Sequence, residues 1–75
     1  MIKIGDIVDY NGEAGVVMKE VGHSVFHVKM LYEHMGMCPT ETCKAGELGE
    51  RFINKLTDLE KTAAIRFLQQ IVRGE

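Results

Sequence analysis

Between Thr57 and Gly74 the sequence runs without Gly or Pro, and it opens on Thr57-Asp58-Leu59-Glu60. That is a capping-box pattern, in which a hydroxyl accepts from the backbone N–H three residues on and a carboxylate reaches back to the cap. It predicts a helix starting at Asp58 and ending near Arg73, with Gly74 as the stop. At about 100° per residue, Leu59, Ala63, Ala64, Ile65, Phe67, Leu68, Ile71 and Val72 spread over roughly 200° of the wheel, and Thr62, Arg66, Gln69, Gln70 and Arg73 fill the rest. A helix lying on one small sheet needs an apolar arc only somewhat wider than about 100°. Half of this arc therefore needs a further cover, either a neighbouring segment or a second copy of the chain. With 75 residues in all, the chain buries only about 60% of its unfolded surface, so a shared core is a strong stabiliser. Burying roughly 500 Å² of apolar surface per chain contributes on the order of 12 kcal/mol before association entropy. A homodimer is expected, with Ile65, Leu68 and Val72 in the interface.

The residues before this segment read as strands. Ile2, Ile4, Val8 and Tyr10 share even parity, as do Ala14, Val16 and Met18. The clearest run is Phe26, Val28, Met30 and Tyr32, alternating with Val25, His27, Lys29 and Leu31. The even face is the expected core. Asn11-Gly12 favours a two-residue type I′ turn. Such a turn sets Tyr10 opposite Glu13 and Val8 opposite Gly15, which puts odd residues of the second strand on the core face. A one-residue slip inverts every side chain. Following the apolar pattern instead of the turn gives a loop of odd length centred on Gly12, or a bulge near Gly15. Gly22-His23-Ser24 then forms a three-residue second hairpin that pairs Met18 with Val28.

Residues 33–46 have no sustained period and hold the only Pro, so they read as a long loop. Leu48, Phe52 and Leu56 recur every fourth residue beside Ile53, which suggests a short helix over 47–56, weakened by Gly49. The expected fold class is α+β in one domain, 1–75: a bent antiparallel three-stranded meander (1–32), a long loop (33–46) and a helical part (47–73) with a short helix and a longer C-terminal one.

Nine Lys and Arg stand against eleven Asp and Glu, a net charge of −2, and the basic residues never form a run. That argues against coating of nucleic acid by the whole surface, although a local patch is compatible with it. No apolar run approaches the roughly 18 residues of a membrane span, so no membrane association is expected. The first residues, Met1-Ile2-Lys3-Ile4-Gly5-Asp6, lack the basic lead and apolar stretch of a signal peptide. A cytoplasmic location with reduced thiols is the expectation.

The candidate chemistry centres on His34, Cys38 and Cys43, an H-x3-C-x4-C array whose sulfur and imidazole ligands suit zinc, with His23 and His27 as conceivable fourth ligands. Zinc knuckles hold two separate pairs of cysteines two to four residues apart, so ordinary loop residues are the better reading. A Cys38–Cys43 disulfide is sterically conceivable but at odds with a reducing compartment. Thiol catalysis needs a positioned base, an orienting group and a dry pocket, and no pattern supplies them. No phosphate loop, nucleophile elbow or dinucleotide fingerprint is present. No enzymatic activity and no cofactor are expected. Tyr10, Phe26 and Tyr32 form a conceivable base-stacking platform, but their parity assigns them to the core. Met18 and Met30 belong to the core too, while Met35 and Met37 join the candidate protein interface.

The residues Gly5-Asp6-Ile7-Val8, Gly12 and Gly15-Val16-Val17 resemble the opening of SH3-like small barrels of the KOW and Tudor sort, where a G-D-x-V strand turns through glycine into a G-x-V strand. The resemblance covers about 30 residues. It implies a strongly bent meander that serves as a docking surface for a protein or RNA, here with three strands in place of five. Size and helical tail also resemble small phage-encoded regulators of host DNA or RNA enzymes. The expected function is a non-catalytic protein-binding regulator, an inhibitor or modulator of replication or transcription machinery, acting as a homodimer. The alternatives are a nucleic-acid-binding SH3-like module and a metal-stapled or thiol-dependent protein.

Overall fold

A computed structural model describes residues 1–74. The fold class is α+β, with five antiparallel strands rather than three and one α-helix rather than two. The strands are β1 (Ile7–Tyr10), β2 (Glu13–Gly22), β3 (Val25–Met30), β4 (Thr40–Lys44) and β5 (Gly49–Glu50), followed by α1 (Asp58–Arg73). They form one sheet in the order β4-β3-β2-β1-β5.

The turn chemistry at Asn11-Gly12 prevails over the parity argument. Asn11 and Gly12 take φ of 52° and 83°, the left-handed pair that a type I′ turn requires. Tyr10 pairs with Glu13 and Val8 with Gly15, so neither the odd loop nor the bulge near Gly15 forms. The apolar pattern is satisfied in another way, because the sheet has a buried cluster on each face. Ala14 and Val16 of β2 face α1, in a cluster with Leu31, Cys38, Leu56, Ala63, Ala64 and Phe67. Val17 faces the other way and packs with Val8, Phe26, Val28, Met30 and Cys43. Val8 of β1 and Cys43 of β4 thus share a cluster although two strands separate them in the sheet order. The sheet is curled around that concave side, and Ile2, Tyr10, Ala45 and Leu48 pack against the cluster.

Bulges in β2 between Val17 and Lys19 and between Glu20 and Gly22 supply the bend. The second hairpin turns through His23 and Ser24 alone, pairing Gly22 with Val25 and Val17 with Val28, so Met18 does not face Val28. Ile4 and Tyr32, assigned by parity to the core, are exposed.

The segment expected to be a long loop contains β4, and Met30 N donates to Pro39 O at 2.8 Å as β4 approaches β3. The strand Thr40-Glu41-Thr42-Cys43-Lys44 escapes a periodicity search because Cys43 is its only apolar residue. In place of the short helix over 47–56 stand a 3-10 turn at Ala45–Glu47, β5, and a second 3-10 turn at Ile53–Lys55. The four-residue spacing there is coincidental. Leu48 packs into the concave cluster, Leu56 into the α1 cluster, and Phe52 lies exposed. Arg51 Nη1 donates to Asp9 Oδ1 at 2.7 Å, tying the chain after β5 back to β1.

The helix begins and ends where its caps dictate. Glu60 N donates to Thr57 Oγ1 at 3.1 Å and Thr57 N to Glu60 Oε1 at 2.8 Å, and Gly74 takes the left-handed conformation at φ 76°. No helix among the described residues is long and apolar enough to cross a membrane.

Candidate functional site

The sequence candidates fall into three places. Cys38 is buried in the α1 cluster and Cys43 in the concave cluster, on opposite sides of the sheet, so they face neither one another nor a common ion. Both thiols are free. His34 stands in an exposed turn, where its N–H donates to Met37 O at 2.7 Å. The structure therefore does not bring His34, Cys38 and Cys43 together, and no group of three His, Cys, Asp or Glu among the described residues is placed to hold a metal ion. His23 is exposed in the β2–β3 turn and His27 is half-buried on β3.

Cys43 lies close to Tyr10, Glu41 and Glu47 at the margin of the concave side. Burial, and then the carboxylates of Glu47 and Glu41, push the Cys43 thiol above its ordinary value. The neighbouring Cys43 sulfur, together with partial burial and the same carboxylates, raises the Tyr10 phenol, against a lowering hydrogen bond from the Asn11 side chain. The group is thus held protonated, the opposite of what an attacking thiolate needs.

Met35 and Met37 form the tip of the second candidate. The turn places Met35 and Gly36 at φ 54° and 80°, and Met35 remains 92% exposed. Its side chain projects from a short hairpin closed by the His34–Met37 bridge.

The third candidate is the outer face of α1. Ala63, Ala64 and Phe67 are buried against the sheet, and Leu68 and Ile71 are half-buried. Ile65 stays 56% exposed and Val72 87%. With Leu68, Gln69 and Arg73 they line a shallow, almost wholly apolar groove. A Cβ built on Gly5 would lie 3.7 Å from Leu68 Cδ2, so the chain ahead of β1 passes beside Leu68.

Sequence reasoning missed one feature. Lys19, Lys29 and Lys44, ten or more residues apart in the chain, occupy one face of the sheet. The alternation within β3 pointed to Lys29, but its neighbours depend on the β2 bulges and on β4, neither of which has a local signature. Comparisons with protein-family models, curated proteins and solved structures find no match to this chain.

Proposed function

We propose that this chain is a small non-catalytic binding module, an SH3-like regulator that engages a macromolecular partner and pairs with a second copy of itself across the outer face of α1. The observation that carries the reading is the exposure of Ile65 and Val72 on either side of Leu68. The SH3-like component rests on five strands curled around the Val8–Cys43 cluster. The non-catalytic component rests on two buried thiols on opposite sides of the sheet, one of them with its thiolate disfavoured.

The second copy is the favoured occupant because the stripe is self-complementary. Ile65 and Val72 are equidistant from the point between Leu68 and Gln69. A two-fold axis through that point crosses two α1 helices antiparallel, with Ile65 of one copy against Val72 of the other and the helix dipoles opposed favourably. Clearing the roughly 1,000 Å² of a specific interface requires about 500 Å² from each chain. Ile65, Leu68 and Val72, with the Arg73 stem at the margin, form the apolar centre of that surface.

Sedimentation equilibrium tests the pairing. The expected mass is twice the 8.4 kDa of one chain, and Val72→Glu, at a position outside the monomer core, returns it to one chain. A wild-type mass of a single chain at high micromolar concentration overturns the reading.

A further inference from the structure

The basic residues are dispersed along the chain, but the strand register gathers several of them. In the β3–β4 pair, Lys29 lies opposite Thr40, His27 opposite Thr42 and Val25 opposite Lys44. In the β2–β3 pair, Lys19 lies opposite His27. Directly opposed residues of antiparallel strands project to the same face, so Lys19, Lys29 and Lys44 share one surface with the hydroxyls of Thr40 and Thr42. Glu20 lies opposite Phe26 and Glu41 opposite Val28, which puts both carboxylates on the other, concave side.

Arg66 joins the surface from α1. Its Cζ lies 5.1 Å from the Phe67 ring centroid and Lys29 Nζ lies 5.6 Å from the same centroid, so both cations flank one ring. Glu33 and Glu60 line the groove that Arg66 borders, but neither forms an ion pair with it. The only ion pair among the described residues is Arg51–Asp9, so all four cations are without a carboxylate partner. On a chain with net charge −2, three lysines on one sheet face with Arg66 beside them form a local excess of positive charge, which attracts an anion.

We propose that this face of β2, β3 and β4, with Arg66 beside it, binds the phosphodiester backbone of a nucleic-acid strand without sequence preference. The cations extend over several residues of sheet, where side chains two apart repeat at about 6.6–6.8 Å along a strand and neighbouring strands lie about 4.8 Å apart. A duplex strand offers a charge about every 3.4 Å of axis, so a row of such cations engages successive phosphates. Threonine hydroxyls between the lysines add neutral donors of the kind that contact phosphate oxygens. The strand residues of this face include no exposed aromatic ring: Phe26 and Tyr10 belong to the concave side and Phe67 is buried, while the exposed Tyr32 stands beyond the end of β3 in the groove that Arg66 borders. The sheet face itself therefore contacts the backbone rather than the bases. The surface is separate from the pairing stripe, since Arg66 and Lys29 lie on the β3 flank of α1 whereas Leu68 lies against Gly5 before β1.

Fluorescence anisotropy with labelled oligothymidylate, a labelled duplex and labelled polyglutamate tests the proposal. For four phosphate contacts, affinity is expected to fall about 50-fold for the single strand and about 150-fold for the duplex between about 50 and 200 mM salt. Replacing the exposed Lys19 and Lys44 together by Gln should halve the salt slope while leaving the circular dichroism spectrum unchanged. Replacing Lys3 and Lys61 by Gln should alter neither. Val72→Glu must retain the affinity per chain, which separates this surface from the pairing reading. No binding at the lower salt, a salt-independent affinity, equal loss in the Lys3/Lys61 control, or polyglutamate bound as tightly as oligothymidylate would each overturn it.

Discussion

Val28 closes the space above Gly15: a Cβ built on Gly15 would stand 2.5 Å from Val28 Cγ1 and 3.1 Å from Met30 Sδ. The two residues lie on adjacent strands, and Val28 belongs to the cluster on the concave side. Gly15 has no positive φ, so the demand for glycine at this position is one of space rather than of backbone conformation.

Gly15→Ala is accordingly expected to destabilise the fold by about 1–3 kcal/mol, the cost of overpacking a well-filled core. Gly46→Ala is the matched control, since nothing lies within 4 Å of a Cβ there. Urea unfolding of both variants measures the difference. Equal stabilities would mean that β2 and β3 can part at no cost.

Thr57→Ala removes the hydroxyl that accepts from Glu60 N. A loss of about 0.5–2 kcal/mol in thermal or urea unfolding is expected. Thr57→Ser, which keeps the acceptor, should recover most of it.

Stability should decline in alkali. The Cys43 thiol is held above its ordinary value of 9.0, so the unfolded chain loses this proton at a lower pH than the folded one. The folded state then binds more protons than the unfolded state, and the contribution present below about pH 9 is lost as pH rises through the folded value. Tyr10, raised in the same direction from 10.0, extends the decline upward. Melting temperatures measured from pH 8 to pH 11 should fall less steeply in Cys43→Ala, and less again with Tyr10→Phe added. An unchanged slope in the double variant would assign the decline to other groups.

Elements with short-range chemical signatures were legible in advance. The Thr57–Glu60 cap and Gly74 bound α1 at Asp58 and Arg73 as expected, and the alternation from Phe26 to Met30 located β3. The Asn11-Gly12 turn is legible too, against a parity argument that rests on the assumption of a single buried face. That assumption failed because β2 is apolar on both faces, with Val16 under α1 and Val17 within the curl. β4 and β5 carry almost no apolar signal and exist through pairing with strands already in place. Of the site candidates, Ile65 and Val72 lie exposed on the α1 wheel as the excess arc implied, whereas Cys38 and Cys43 are parted by the sheet itself.

The sequence by itself determined the helix, the first hairpin and the surplus of apolar surface on α1, because capping, turn dihedrals and helical periodicity act over a few bonds. The tertiary structure alone decided which face each strand buries, that Lys19, Lys29 and Lys44 meet, and that the two thiols never do. Those outcomes depend on the register between strands and on the bulges that shift it, and register is fixed only when distant segments pack together.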